Sequence, residues 1–338
     1  MTQWRVGAFG EPGKVLSLER SSPREPARGE VRIEVAAAGL NFLDVAICRG
    51  AHPVRPELPY VPGAEIVGRV AVVGLDVAAP LLGERVAAMS PTAYGCFASE
   101  AVVPAATAYA VPEEVPDEHA AALLVTYQTA YVALSRRAGL REGEWLLVHA
   151  GAGALGTALT QVGRALGARV IATAGSEEKL RVCREQGAEV VANYRTEDFV
   201  ATVAAATEGR GADVVCDQVG GETFMRSCDC VAFEGRLVPL GWAGGVEPVV
   251  PAGMLVARNV SLLGVSWGSA YPRQHPDLVR GVHRELLSLY RAGTIRPYVP
   301  RVWRHEELPQ ALQQLADGAS VKERRTFWRR ALDVLRVR

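Results

Sequence analysis

Residues 145–167 read WLLVHAGAGALGTALTQVGRALG. The run Trp145–Val148 is apolar and of strand length. Gly151, Gly153 and Gly156 follow it in the spacing G-x-G-x-x-G, and a helical segment then runs to Gly167. Such a glycine triplet means little alone, but strand before and helix after are the context that gives it meaning. The first glycine permits a tight turn and the second lets a pyrophosphate approach the backbone. The third lets helix and strand pack closely. The free N–H groups of the helix's first turn, those of Ala154 and Leu155 among them, can then hold phosphate oxygens.

Working outward, strand-like and helical segments alternate. EWLLVHA, ARVIATAG, EVVANY, ADVVCDQVG and GRLVPLGW are short apolar runs, with helical stretches between them that reach Gly167, Gly187, Gly211 and Phe233. Nearly continuous apolar runs are what parallel strands covered on both faces require. The alternation predicts an α/β fold with a Rossmann-type doubly wound parallel sheet over residues 126–266. A further strand, SLLGVSWG, and helices around 278–292 and 306–317 complete the reading. Before Asp117 the character differs. VRIEVAAAGL, EIVGRVAVVG and ERVAAM are β-branched runs punctuated by Gly and Pro, so residues 1–125 read as a mostly β domain. DEHAAALLVTYQTAYVALSRRAG, 117–139, reads as one long helix.

The second strand indicates which nucleotide is bound. An Asp or Glu there, about twenty residues past the glycines, would bind ribose hydroxyls. The strand instead ends IATAGSEEK, with Gly175 and Ser176 at that place. A carboxylate would repel a 2′-phosphate, whereas a hydroxyl and a nearby cation suit one. Lys179 lies one helical turn beyond Ser176, and Tyr194 ends the third strand, which favours NADPH. The alternative leaves Lys179 solvated and gives the ribose to Glu177 or Glu178.

The composition excludes several classes. Thirty-seven Lys and Arg balance 37 Asp and Glu in 338 residues, so no net positive field recommends nucleic acid or an anionic membrane. The start, MTQWRVGAFGEPGK, lacks a basic stretch followed by an apolar one, and the most apolar window, 145–163, is broken by His149, Thr157, Thr160 and Gln161. The expected location is cytoplasmic. No C-x-x-C occurs among six cysteines. Cys228 and Cys230 could form a redox pair or be small buried hydrophobes.

Over nearly the whole chain, GLNFLD, VPGAEIVGRV, GERVAA, YGCFASEAVVPA, TYQTAYVAL, HAGAGALG, GSEEKL, NYRTED and DVVCDQVGGETF carry a family pattern. The sequence resembles the zinc-independent quinone oxidoreductase branch of the medium-chain dehydrogenase/reductase superfamily. The resemblance implies a GroES-like catalytic domain, residues 1–125, completed by 267–338 and joined to the Rossmann domain. It also implies NADPH and a homodimer. Where zinc-dependent relatives place Cys and His ligands, this chain has Asn41 and Ala64, neither suited to zinc, and the four-cysteine lobe is missing. No metal ligands are expected. Without such a Lewis acid, reduction of a quinone or α,β-unsaturated carbonyl by hydride transfer is favoured over alcohol dehydrogenation.

By the same resemblance, Asn41 and Asp44 border the nicotinamide and substrate pocket, and Thr129 contacts the nicotinamide side. Leu240, Gly241 and Val265 offer backbone groups to the carboxamide. Bacterial quinone reductases usually carry tyrosines where this chain has Ala46 and His52. His52 could instead donate a proton to an enolate, the alternative being a surface-loop histidine. The C-terminal GASVKERRTFWRRALDVLRVR departs from the family's closing strand and reads as a basic tail or helix. The leading expectation is an NADPH-dependent, zinc-free quinone or enone reductase. An enoyl thioester (enoyl-CoA) reductase, or an NADPH-binding structural or redox-sensing protein with little catalysis, are the competitors.

Overall fold

The computed structural model describes residues 1–318 and 326–329. The chain divides into two units. One holds Met1–Val125, Gly268–His283 and the described residues from Val299, the other Thr126–Trp267 and Arg284–Tyr298. The stretch 267–338 is therefore shared between them.

In the first unit, β1 (Thr2–Val6) and β2 (Leu16–Arg20) form an antiparallel pair. β3 (Glu30–Gly39) runs antiparallel to β4 (Glu65–Val73), and β5 (Arg85–Met89) lies beyond β4. β6 (Glu100–Pro104) pairs with β3 and β7 (Ala108–Ala110) with β5. Along β3, Val31, Ile33 and Val35 are buried while Arg32 and Glu34 are not, the period of two that a half-covered strand imposes. These residues pack with Ile66, Val70 and Val86 into one core, which Leu308 and Leu312 of the helix Leu308–Ala316 also enter.

The second unit holds β8 (Trp145–Val148), β9 (Arg169–Ala174), β10 (Val190–Asn193), β11 (Ala212–Asp217), β12 (Val231–Pro239) and β13 (Ser261–Leu262). All pair in parallel, in the order β10-β9-β8-β11-β12-β13. This is the doubly wound arrangement expected, with the strand order reversing at β8. β8 is buried throughout, as its unbroken apolar run required.

Four sequence expectations change. The fourth helix ends at Cys230 rather than Phe233, because Val231–Phe233 are β-branched or aromatic and join β12. The strand read in SLLGVSWG shrinks to Ser261–Leu262, so Val265 lies outside it. Trp267 opens the helix Trp267–Gln274, its indole N–H donating to Gln128 at 2.9 Å. The long helix of 117–139 is α-helical only at Asp117–Ala120 and Gln128–Tyr131. Wider π-helical turns occupy Leu123–Tyr127 and Val132–Arg137. Almost every residue of 120–134 is buried, so no polar face fixed the period.

Finally, β14 (Arg301–Arg304) pairs in parallel with β15 (Thr326–Arg329), which pairs antiparallel with β3. Residues 326–329 thus form a strand where a tail or helix was expected, consistent with the β preference of Thr, Phe and Trp. Of the tail's cations, Lys322, Arg324, Arg325, Arg330, Arg336 and Arg338 lie outside the described residues. All six cysteines are buried and free, and burial pushes the Cys230 thiol up to about 12. Cys228 and Cys230 are small buried groups, not an accessible redox pair. Among the described residues, no helix is long and apolar enough to cross a membrane.

Candidate functional site

At the end of β8 the chain turns sharply. The Gly151 N–H donates to the Thr173 carbonyl at 2.8 Å, binding the turn to β9. A Cβ on Gly151 would lie 2.8 Å from that of Ala172, and one on Gly156 would lie 2.8 Å from the Gly151 Cα. The triplet therefore serves close packing of loop, helix and sheet. Gly153 is the N-cap of the helix Ala154–Ala165 and no side chain caps it. Its first-turn N–H groups, at Ala154 and Leu155, keep the polarity that attracts an anion.

One strand over, β9 runs into Gly175 and Ser176. The Ser176 hydroxyl accepts from the Lys179 N–H at 3.3 Å, capping the helix Glu177–Glu185. A Cβ on Gly175 would lie 2.6 Å from the Tyr194 Oη and 3.1 Å from the Arg195 Nε, so both side chains close over the glycine. Burial lowers the pKa of the half-buried Lys179 amine, and the Arg195 cation lowers it further. Two like charges thus converge beside Ser176 and Tyr194, a hydroxyl-rich cation pair that suits a phosphate dianion. Arg195 was not singled out in the sequence. Its only signal was a cation directly after Tyr194.

The loop after β8 rests on a buried network. His149 Nε2 and Nδ1 lie 2.8 Å from Ser227 Oγ and 2.9 Å from Thr173 Oγ1. The Ser227 hydroxyl donates to the Thr223 carbonyl at 2.8 Å, so Nε2 carries the ring proton and Nδ1 accepts. Burial holds the imidazole down at about 3, hence neutral. At the end of β11, Asp217 accepts from the N–H groups of Val219 (2.6 Å) and Gly220 (3.2 Å), and Gln218 donates to the His149 carbonyl at 2.7 Å. The Leu240 N–H donates to the Asp217 carbonyl at 2.6 Å, fixing the Leu240–Gly241 turn after β12. Thr129 lies half-buried on the helix Gln128–Tyr131.

In the first unit, Asn41 is the N-cap of the helix Phe42–Cys48. Its backbone N–H donates to Asp44 Oδ2 at 2.7 Å, and its side-chain Nδ2 donates to Glu65 Oε1 at 2.8 Å. Glu65 Oε2 accepts the Val125 N–H at 2.7 Å. Asn41, Asp44 and Glu65 are all buried. Burial raises the Glu65 carboxyl to about 7, and burial together with the nearby Glu65 raises Asp44 well above the carboxylate range. Glu65 is likewise not singled out in the sequence; its signal is a carboxylate opening β4 directly ahead of the apolar Ile66 and Val67. His52 sits in the loop beyond the helix. Its Nδ1 accepts the Val54 N–H at 3.0 Å, and burial lowers its pKa, leaving Nε2–H as a neutral donor.

Residues 27–113 match the alcohol dehydrogenase GroES-like domain, and residues 154–284 the zinc-binding dehydrogenase domain. The chain is 36% identical over 318 residues to quinone oxidoreductase-like protein 2 of Bos taurus, covering 94% of this chain and 90% of that one. Its homolog in Nematostella vectensis is 35% identical over 320 residues, covering 94% and 87%. Escherichia coli quinone oxidoreductase complexed with NADPH superimposes with a TM-score of 0.89 at 30% identity, over 97% of this chain and 100% of that one.

Proposed function

Because the chain belongs to the quinone oxidoreductase branch of the medium-chain dehydrogenase/reductase superfamily, we propose that it is an NADPH-dependent, zinc-free reductase of quinones or α,β-unsaturated carbonyls. The observation that carries the reading is the Arg195 guanidinium lying over Gly175, close enough to the Lys179 amine to lower its pKa, where an NAD site would keep an acid. The catalytic domain is 1–125 completed from part of the C-terminal stretch 267–338, and the Rossmann domain is 126–266 with 284–298 added to it.

Bound NADPH supplies a hydride; the remaining work belongs to the chain. The Gly151–Gly156 turn and the N–H groups of Ala154 and Leu155 hold the pyrophosphate. Gly175, Ser176, Lys179, Tyr194 and Arg195 hold the 2′-phosphate. Thr129, Leu240, Gly241 and Val265 orient the nicotinamide end. When the acceptor takes up hydride, negative charge gathers on its oxygen, and donors aimed at that oxygen lower the barrier. Asn41 and the His52 Nε2–H are the donors we assign to it. Asp44, bonded to the Asn41 backbone, positions that cap. The donor set does not suit zinc, since Asn41 and Ala64 stand at the ligand positions of zinc-dependent relatives.

A homodimer fits the second unit's sheet. β13 is an edge strand, and Leu262 on it, Phe233 on the neighbouring β12 and Val256 in the helix Ala252–Arg258 are exposed apolar side chains. We place the protein in the cytoplasm, with a small-molecule substrate and neither nucleic acid nor membrane as partner.

The test is NADPH consumption with a panel of quinones, alkenals and enoyl thioesters, repeated with NADH and accompanied by metal analysis. Turnover of quinones or enones with NADPH preferred is the expected result. A preference for enoyl thioesters moves the assignment to an enoyl reductase. Tight NADPH binding with no acceptor turned over makes it a binding protein. Stoichiometric zinc, or a preference for NADH, overturns the reading.

A further inference from the structure

We propose that Glu65 is the positioning residue that sets which face of the Asn41 amide is presented to the acceptor. The inference rests on the reductase reading above and deepens it. An amide is nearly symmetric in shape but not in chemistry, so a site that uses it must fix which end is N–H and which is C=O. Here the Asn41 Nδ2 is committed to Glu65 Oε1 at 2.8 Å. The other carboxylate oxygen is committed to the Val125 N–H at 2.7 Å, which fixes the carboxylate in turn. Two donors therefore converge on Glu65, and only a carboxylate offers each of them an acceptor oxygen.

Room for this arrangement comes from Gly39, the last residue of β3. A Cβ there would lie 2.7 Å from both Cγ and Cδ of Glu65, so any side chain at position 39 displaces the carboxylate. The groups facing Glu65 are Asn41 and Asp44 from the helix Phe42–Cys48 and Cys96 from the segment before β6. Asp44 raises its pKa in response to the Glu65 charge, and Cys96 responds to both carboxylates. Burial raises Glu65 to about 7 rather than 4.5, against the pull of the hydrogen bonds from Asn41 and Val125. Once protonated, its O–H can donate to the amide oxygen, and the orientation of Asn41 is no longer enforced. Acceptor reduction should therefore lose rate as pH falls through neutrality.

Wild type is compared with Glu65→Gln, which turns an NH2 toward one of the two donors. It is also compared with Gly39→Ala, which keeps the carboxylate but displaces it. For both variants the expected result is NADPH affinity close to wild type, thermal unfolding lowered but still cooperative, and kcat lowered roughly tenfold or more. The acid limb of the wild-type kcat profile should vanish in Glu65→Gln. A second readout needs no acceptor. In protein labelled with 15N-asparagine, the Asn41 amide pair, identified by its loss in Asn41→Ser, should shift with pH near 7 in wild type and stay fixed in Glu65→Gln. Wild-type kcat in Glu65→Gln, or a wild-type Asn41 amide unmoved by pH, overturns the proposal. An amide that titrates in a protein reducing no acceptor upholds the hold of Glu65 on Asn41 and sinks the reductase reading instead.

Discussion

Arg195 shows how much of a candidate binding site can rest on single residues that sequence does not advertise. Lys179 and Tyr194 are legible because they follow a strand end at fixed spacing. An exposed arginine in a turn reads as an ordinary solvated charge. What brings it to Gly175 is the pairing of Ala174 with Asn193 across β9 and β10, a contact nineteen residues apart in sequence. Hydrogen bonds to a charged group contribute roughly 1.5–3 kcal/mol each. Lys179→Ala and Arg195→Ala should therefore each raise KM for NADPH by about tenfold or more, with KM for NADH nearly unchanged. An equal rise for both cofactors would show that the variants damage the fold rather than the phosphate site. Glu65 is hard to see for a similar reason: its partners Asn41 and Val125 are distant in sequence, and a carboxylate at the start of a strand reads most simply as a solvated end.

At the scale of elements, the strand–glycine–helix unit at β8 was legible because each local signal agreed with the others. The stretch after Asp117 was legible as helix but not in its pitch, since burial on nearly all sides erased the period that would separate α from π turns. The same logic yields a matched pair of glycine substitutions. A methyl group on Gly156 meets the backbone of Gly151 at 2.8 Å, which cannot yield without moving the loop away from the helix. Gly253, in the helix Ala252–Arg258, has no atom within 4 Å of such a methyl. Gly156→Ala should cost stability and weaken NADPH binding by about tenfold or more, since the third glycine sets the helix approach on which phosphate binding depends. Gly253→Ala should raise stability by about 0.5–1 kcal/mol through helix propensity and leave binding alone. Thermal melts with and without NADPH report both effects. Comparable losses in the two variants would refute the packing role assigned to Gly156.

At the scale of the molecule, the buried ionisable groups oppose one another and set where the fold is most stable. His149 has a folded-state pKa of about 3 against 6.5 when unfolded, so the unfolded chain binds more protons between those values. Its contribution is complete above 6.5 and is lost as pH falls, and burial gives His283 the same sign. Glu65 runs the other way, at about 7 folded against 4.5 unfolded, and Asp44 and Asp217 are raised by burial as well. Their contribution is complete below the unfolded values and is lost as pH rises through the folded ones. A tenfold difference in proton affinity between the folded and unfolded chain is worth about 1.4 kcal/mol. Below about 4.5 the histidine slope acts with the loss of paired carboxylates such as the half-buried Glu144, which burial raises but the hydrogen bonds of Arg236 and Arg141 hold low on balance. Above 6.5 only the carboxyl slope of this group remains. Urea midpoints should thus peak on the acid side of neutrality, between about pH 4.5 and 6.5, and decline through pH 8. Glu65→Gln should flatten that alkaline decline, and His149→Gln should flatten the acid one. Midpoints that climb steadily from about pH 5 to pH 8 in wild type would mean that these carboxyls are ionised in the fold, and the proton assigned to Glu65 would go with them.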